Sequence, residues 1–189
     1  MNKTRCLWPA ENDPLMLSYH DREWGVPTHD DKKIFEFLVL ESAQAGLSWR
    51  TILYKRGNYR KAFAHFDVKK VAHFTSRDVA RLLKNEGIVR NRLKIEAAIN
   101  NAKKFLEVQK EFGTFAKYSW KFVSNKPISH NIKSLKGYPV MIPEAELLAR
   151  DLKRRGFKFL GPKIVYAHMQ ATGMVNDHMG MCFRRRKGA

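Results

Sequence analysis

The residues best suited to chemistry include two cysteines, one near each end of the chain, each with a histidine nearby. His178 and Cys182 are four residues apart, and Cys6 is followed by His20. A spacing of four can place two side chains on one helical face, although Gly180 between them disfavours a helix. Thiolates and imidazoles are metal ligands. The residue types alone therefore leave two interpretations open, a metal site or free thiols.

Glu41 is a second candidate because it interrupts an apolar stripe. In the segment DDKKIFEFLVLESAQAG, Ile34, Phe37 and Leu38 recur at spacings of three and four, and Glu41 is next on that face. A buried carboxylate costs free energy unless it is paired or has a function. Burial alone raises its pKa, whereas a cationic partner keeps it ionised. A structural ion pair, a helix-end glutamate turned to water and a ligand-binding carboxylate all stay open.

Flat aromatic side chains flank this carboxylate in the sequence. Trp49 ends the segment ESAQAGLSW, Tyr19 begins the upstream segment YHDREWG, and Trp8 lies closer to the N-terminus. Proteins hold unstacked bases on such rings, and a carboxylate can accept hydrogen bonds from an exocyclic amine. Each aromatic residue alone is equally typical of a core. Their combination with Glu41 indicates a pocket for a nucleobase.

A short helical hairpin around Gly87 is a third candidate. The segment LLKNEGIVRNRLKI joins two predicted helices, and glycine allows a sharp turn with positive φ. The second helix would begin with unpaired backbone N–H groups, which suit a phosphate. Arg90, Arg92 and Lys94 in its first turns oppose the helix dipole unless an anion is present. Gly87, Ile88 and these three basic residues are the predicted DNA contacts, with a merely solvated face as the alternative.

Composition limits the classes of protein. The 189 residues include 36 Lys and Arg against 18 Asp and Glu, a formal net charge of +18. Such an excess attracts polyanions, of which nucleic acid is the usual one; a soluble protein that is merely basic is the alternative. No run approaches the roughly 18 apolar residues of a membrane span, and no secretory signal is evident. We expect a cytoplasmic protein, in which two cysteines do not predict a structural disulfide.

The elements that position these residues are predicted to be helices. Asp30 or Asp31 caps the helix that carries Glu41, which ends near Gly46. The other boundary signals are Asp67 and Ser76 as N-caps, Gly113 as a stop, Pro143 with Gly156, and Pro162 with Gly173. Residues 125–142 indicate an irregular connection, and no alternating strand is evident. The predicted fold class is all-α.

The chain resembles a known family over nearly its whole length, from Cys6 to Cys182. The matching segments are RCLWP, YHDREWGVP, FEFLVLESAQAGLSWRTIL, GIVRNRLKI, RGFKFLGP and MQATGMVNDH. They look like the DNA-3-methyladenine glycosylase I family of bacterial repair enzymes. The resemblance implies a helix-hairpin-helix DNA glycosylase fold, with the hairpin near 85–90 and a single domain over 1–189. It also implies excision of 3-methyladenine from double-stranded alkylated DNA, by a protein that we expect to be a monomer with no membrane partner.

The resemblance also implies one zinc ion, bound by Cys6, His20, His178 and Cys182. Two thiolates and two imidazoles make a closed tetrahedral set with no open position for an activated water. We therefore expect a structural zinc that joins the two ends of the chain and takes no part in the chemistry.

The implied base pocket also carries over residue by residue. Glu41 matches the family's base-recognition glutamate, and Tyr19 and Trp49 match its aromatic walls. Three further members are Trp8 in the same cavity, Met16 where some relatives have a tyrosine, and Leu47, which resembles the residue that enters the duplex in place of the extruded nucleotide. Because Met16 replaces that tyrosine, one stacking or hydroxyl contact is expected to be absent.

The implied mechanism rotates the base out of the duplex before its bond to the sugar is hydrolysed. Methylation at N3 makes the base positive and weakens that bond, so Glu41 is expected to recognise the cation and stabilise developing charge while water attacks. Many relatives in the wider superfamily have a catalytic aspartate shortly after the hairpin. This chain has no aspartate between Asp78 and Asp151, and no lysine stands out as a nucleophile. We expect a monofunctional glycosylase. The alternatives are a non-catalytic sensor of alkylated DNA and a zinc-dependent nucleic-acid-binding protein.

Overall fold

The computed structural model describes residues 3–185, and this range is mainly helical. Its nine α-helices are α1 (Pro14–Arg22), α2 (Asp31–Gln44), α3 (Trp49–Ala62), α4 (Val68–Ala72), α5 (Ser76–Leu83), α6 (Arg92–Phe112), α7 (Phe115–Trp120), α8 (Pro143–Arg154) and α9 (Pro162–Ala171). Two short strands, β1 (Ile128–Ser129) and β2 (Val175–Asn176), pair in parallel. The prediction of a helical fold is confirmed. The strands were not predicted, because two residues are too few to show alternation. No helix in this range has the length and apolarity needed to cross a membrane.

Most helix boundaries lie where the sequence predicted them. Asp30 caps α2 by accepting a hydrogen bond from the Lys32 N–H at 3.0 Å, and Asp67 caps α4 through the Lys70 N–H at 3.1 Å. Gly113 ends α6 with a φ of 83°. Both α8 and α9 begin with proline, and the glycines predicted to follow them have positive φ.

Two predicted helix starts are wrong by one or two residues. Ser76 is the first residue of α5 and not its cap, because the Thr75 N–H and the Asp78 carboxylate form a capping box. The long helix α6 has Asn91 as its N-cap, so Arg90 precedes the helix instead of lying in its first turn. Both shifts come from polar side chains next to the predicted boundary that cap equally well.

The central helix is α2, which packs against α3, α6, α7 and α9. Every residue from Ile34 to Ala43 is buried, so the helix is enclosed on all faces, and the apolar stripe is only part of that burial. Ile34 and Leu38 belong to the main core, whereas Phe37 packs with Tyr19 in a smaller cluster. One turn after Phe37, the same face presents Glu41.

The two ends of the described chain lie side by side. The Phe183 N–H donates to the Thr4 carbonyl at 2.8 Å. The segment after α9 reaches this region by passing very close to Val26 and Pro27. At Gly173, which has a φ of 71°, a Cβ atom would lie 2.2 Å from the Pro27 backbone nitrogen. Only glycine fits this approach, which brings the C-terminal cysteine and histidine to the N-terminal pair.

Candidate functional site

A cavity of about 300 Å³ opens beside α2, a volume at the lower end of the range for small-molecule sites. Glu41 reaches it from α2, Tyr19 from α1, and Trp49 from the first residue of α3, whose start is fixed by the Ser48 cap. The complete lining is Trp8, Tyr19, Trp24, Glu41, Gln44, Trp49, Leu135, Tyr138, Ala167 and Gln170. Four of the six predicted pocket residues thus surround one space.

The Glu41 carboxyl group is buried without a partner. Its exposed fraction is 4%, and no residue in the described range forms a hydrogen bond or ion pair with it. Desolvation raises its pKa to about 8. The interpretation of Glu41 as half of a structural ion pair is therefore excluded for residues 3–185, and so is a helix-end glutamate turned to water.

Glu36, on the same helix, is a buried glutamate with a structural role, because it is paired with arginines. It accepts hydrogen bonds from Arg56 at 2.8 Å and Arg60 at 2.9 Å. Burial is the largest single influence and opposes ionisation of Glu36. The Arg56 hydrogen bond and the charges of Arg56, Lys33 and Arg60 together outweigh it and lower the pKa of Glu36. The chain thus pairs one buried carboxylate of α2 with arginines and leaves Glu41 facing the cavity. An unpartnered acid in a cavity is typical of a binding function.

The rings around Glu41 form a continuous aromatic wall. The centroids of Tyr19 and Trp49 are 5.2 Å apart, and those of Trp8 and Trp24 are 5.1 Å apart. The indole N–H groups of Trp8 and Trp49 are buried without a partner among the described residues, whereas the Tyr138 hydroxyl faces the Cys6 thiol. Because these donors are shielded from solvent, the groups that the cavity itself offers are apolar ring faces and one acid, a combination that suits a flat heteroaromatic ligand.

Two predicted pocket residues lie outside this lining. Met16 is buried in the cluster that contains Tyr19, so it supports the aromatic wall from behind instead of facing the cavity. Leu47 has an exposed fraction of 41% and lies in the turn between Gln44 and Trp49, both of which line the cavity. Its predicted entry into a duplex stays a prediction.

Six lining residues were missed by the sequence analysis. They are Trp24, Gln44, Leu135, Tyr138, Ala167 and Gln170. Trp24 and Gln44 lie in the same two segments as Tyr19 and Glu41, which were predicted to line the pocket. Ala167 and Gln170 are three residues apart and so lie on one face of α9. Leu135 and Tyr138 come from the irregular connection, where no periodicity indicates which side chains point inward.

A cluster of Cys6, His20, His178 and Cys182 lies next to the cavity. All four residues are buried, and their ligand atoms lie within 4.8 Å of one another. Three sulfur–nitrogen distances are each 3.5 Å. Tetrahedral coordination with bonds of about 2.3 Å to sulfur and about 2.0 Å to nitrogen gives about 3.5 Å for this distance. The predicted cluster is confirmed, and its geometry fits a four-coordinate metal ion.

Surrounding hydrogen bonds orient both imidazole rings. His20 Nδ1 lies 2.9 Å from the Asp21 carboxylate, which Arg5 holds at 2.8 Å, and His178 Nε2 lies 2.9 Å from the Trp24 carbonyl oxygen. These acceptors place the ring protons away from the cluster and the lone pairs toward it, as in metal sites generally. Burial opposes ionisation of Asp21, but the hydrogen bonds from Arg5 and His20, with the charge of Arg5, together lower the pKa of Asp21 to about 2. Since Trp24 also lines the cavity, the metal cluster braces the cavity wall.

The hairpin differs from its prediction in several contacts. Gly87 does not have positive φ; glycine is needed because a Cβ atom would lie 2.8 Å from the Asn58 side chain. The Gly87 N–H donates to the Asn85 side chain at 2.9 Å, and the Ile88 N–H to the Asn85 carbonyl at 3.3 Å. Both of these N–H groups are therefore paired; the unpaired N–H groups were expected at the start of the next helix, where the Lys94 N–H donates to the Asn91 side chain at 3.1 Å. The Ile88 side chain is buried in the core, with an exposed fraction of 3%, and so lies off the surface.

The basic residues of the hairpin fall into two groups. Arg90 and Arg92 are exposed and lie 3.4 and 3.3 Å from the carboxylates of Glu86 and Glu96. Such surface pairs are weak and leave the guanidinium groups accessible to a phosphate. Lys94 instead points inward to the end of α2, away from the surface. Contact between the two arginines and DNA stays a prediction.

The chain is similar to known proteins over nearly its whole length. A family model described as methyladenine glycosylase matches residues 8–185. The DNA-3-methyladenine glycosylase 1 of Escherichia coli K12 is 46% identical over 178 residues, covering 94% of this chain and 95% of the relative. The DNA-3-methyladenine glycosylase of Haemophilus influenzae is 43% identical over 179 residues, covering 95% and 96%.

A similar solved structure is that of a variant of 3-methyladenine DNA glycosylase I in complex with 3-methyladenine. It superposes with a TM-score of 0.94 at 38% sequence identity, covering 98% of this chain and 99% of that chain. Identity at this level over nearly the whole length, together with the aromatic cavity and the Cys2His2 cluster, shows that the chain belongs to the methyladenine glycosylase family.

Proposed function

We propose that the protein releases 3-methyladenine from alkylated double-stranded DNA by hydrolysing the bond between base and sugar, without cutting the strand. The observation that carries this proposal is the buried, unpaired Glu41 carboxyl group in an aromatic cavity sized for a purine. The activity named for the relatives in Escherichia coli and Haemophilus influenzae supports the same substrate.

The chemistry follows from the charge of the lesion. Methylation at N3 gives the base a positive charge, which neutral adenine lacks. Beside Glu41 this charge favours loss of the carboxyl proton, and the resulting carboxylate stabilises the cation. When the bond to the sugar breaks, its electron pair stays with the base, which leaves uncharged. Water then adds to the sugar carbon and loses its proton. Glu41 acts on the base by selecting and holding it, and the aromatic rings exclude solvent from the bond that breaks.

A metal ion and a DNA duplex would bind at different parts of the protein. We propose zinc as the metal, because two thiolates and two imidazoles in a closed tetrahedral set suit this ion. Zinc would supply structural cross-linking, holding both ends of the chain in a single domain. DNA would lie along the hairpin, with Arg90 and Arg92 near phosphates and Leu47 inserted into the duplex. We propose a monomer that acts on the DNA of the bacterial cytoplasm.

The direct test is chromatography of the bases that purified protein releases from methylated duplex DNA. We expect 3-methyladenine from the wild type, with release slowed by about a hundredfold or more in Glu41→Gln and Trp49→Ala. Binding of methylated DNA should persist in Glu41→Gln, because the contacts to the DNA backbone are unaltered. Tight binding by the wild type without release of any base would identify a sensor of alkylated DNA and overturn the proposal.

A second assay examines strand cleavage. Lyase chemistry passes through a covalent amine–sugar adduct that borohydride traps. We expect no trapped adduct and no nicking of DNA that contains an abasic site. A trapped adduct would contradict the monofunctional part of the proposal and leave base release intact.

A further inference from the structure

Gln170 lines the cavity but takes no part in the proposed release of the base. It lies on α9, which packs against α2, the helix that carries Glu41. Its side-chain amide therefore borders the same space as the Glu41 carboxyl group. A glutamine amide has two ends, a donor NH2 and an acceptor carbonyl. Which end faces the cavity decides what it can recognise.

The structure fixes the orientation of this amide. Gln170 Nε2 lies 2.6 Å from an oxygen of Asp177, which is fully buried. The other Asp177 oxygen lies 2.6 Å from His130 Nδ1, and the Tyr166 hydroxyl also bonds the carboxylate. A carboxylate has only acceptor atoms, so Asp177 acts as an acceptor toward Gln170. The NH2 end of Gln170 must therefore point to Asp177.

The remaining polar atom is the Gln170 carbonyl oxygen. It accepts no hydrogen bond from any residue in the range 3–185, and Gln170 is a lining residue of the cavity. Gln170 is half-buried and this oxygen is not fully enclosed, so it can accept a hydrogen bond from a ligand in the cavity. The cavity thus contains a second hydrogen-bonding group, oriented by residues that themselves lie outside the lining.

We propose that Gln170 is a specificity-determining residue that accepts a hydrogen bond from the exocyclic amine of the flipped base, with Asp177 as its positioning residue. This inference rests on the proposed function. The amine at position 6 of adenine has two N–H donors, one for Glu41 and one for Gln170. Guanine carries a carbonyl oxygen at that position. Two acceptors would face each other there, so a fixed Gln170 carbonyl favours alkylated adenine over alkylated guanine.

The test compares two bases released from one substrate. Duplex DNA treated with a methylating agent contains both 3-methyladenine and 3-methylguanine, and chromatography gives kcat/KM for each. In Gln170→Met and in the smaller Gln170→Ala, we expect the ratio of adenine to guanine release to fall by about tenfold, the value of one charge-assisted hydrogen bond. Because the same folded molecules release both bases, this ratio is independent of how much of the sample is folded.

Gln109→Met is the matched control. Gln109 Nε2 donates to the Asp31 carboxylate at 2.6 Å, the same kind of bond at the same distance, and Gln109 does not line the cavity. Its loss should leave the ratio unchanged. An unchanged ratio in both Gln170 variants would overturn the assignment of Gln170 while leaving the proposed function intact. A wild type that releases neither base would instead overturn the proposed function.

Discussion

The Lys94 ammonium donates to the carbonyl oxygens of Ala43 and Ala45, at 2.9 and 2.5 Å. A side chain from the start of α6 thereby caps the C-terminus of α2, the helix that holds Glu41. Burial lowers the pKa of Lys94, as expected for an ammonium drawn inward. Lys94 was predicted from the sequence to contact DNA, but its ammonium group binds backbone carbonyl groups of the protein itself.

We predict that Lys94→Met destabilises the fold and leaves the salt dependence of DNA binding unchanged. Loss of a charged donor at a helix C-terminus should cost about 1–2 kcal/mol. The urea midpoint measures the first effect, and the slope of log K against log salt measures the second. A flatter slope in this variant would show that Lys94 does reach a phosphate.

For Arg90 and Arg92 we predict the opposite result. Each phosphate contact contributes about −0.9 to the slope of log K against log salt, so Arg90→Ala or Arg92→Ala should flatten the slope by about one unit. Stability should hardly change, because both side chains are exposed. Arg150→Ala is the control, since Arg150 is exposed and forms the same type of pair, with Glu146. Equal slopes for all three variants would remove the two arginines from the DNA interface.

Replacing Glu41 with glutamine, which cannot ionise, should stabilise the protein, and the stabilisation should increase as pH rises. The unfolded chain loses this proton near the ordinary glutamate pKa of 4.5, whereas the folded protein holds it up to a pKa of about 8. Between these values the folded state binds more protons, so stability falls as pH rises, by about 3 kcal/mol at pH 7. Glu41→Gln cannot ionise and should escape this loss.

The measurement is the difference in urea midpoint between Glu41→Gln and wild type from pH 5 to pH 8, with the metal bound in both. Taking the difference cancels the effect of other titrating groups. We expect it to grow with pH over this window. A constant difference would mean that Glu41 is already ionised in the folded protein.

Leu47→Ala should slow base release from duplex DNA by about tenfold and leave release from methylated single strands unaltered. A side chain that replaces the extruded nucleotide matters only where a stacked partner strand exists. Since Leu47 is exposed, stability should change by less than about 0.5 kcal/mol. Leu147, exposed on α8, provides the matched alanine control. Equal slowing on both kinds of DNA would argue against insertion into the duplex.

Asp21→Ala should weaken metal binding by about 10–100-fold without removing a ligand. The carboxylate orients the His20 ring and is itself held by Arg5. Competition with a chelator measures the affinity, and metal content per chain identifies the ion. Asp67→Ala, which removes only the cap of α4, should retain wild-type affinity. Unaltered affinity in Asp21→Ala would show that ring orientation does not limit binding.

Local signals in the sequence predicted helices and caps, because both depend on residues a few positions apart. Interactions between distant segments were not predictable in this way. Asp31 looked like a cap for its own helix, yet its carboxylate accepts the N–H groups of Phe115 and Ala116 at 2.8 Å, at the start of α7. The contacts of Lys94 could not be predicted for the same reason, because its partners lie about fifty positions earlier in the chain.

The candidate site was predictable in part. Glu41 was predictable because a charged residue on an apolar helix face is unusual. The structure places this residue at a cavity, as a binding function requires. Tyr138 and Gln170 did not stand out, since neither breaks a pattern in its own segment. The two ends of the metal cluster are unrelated by any sequence period, so their pairing came from family resemblance alone.

Because the cluster joins Cys6 to His178, 172 residues away, a bound metal closes a ring that includes almost all of the chain. The entropy of closing a loop grows with its length. In a circular permutant that links Thr4 to Phe183 and opens within residues 125–142, the ligands would follow one another as His178, Cys182, Cys6 and His20. The closed loop would then be a few tens of residues long, and the metal would contribute about 1.5 kcal/mol less to stability. The order of the chain, and not only the coordination bonds, therefore sets how strongly this fold depends on its metal.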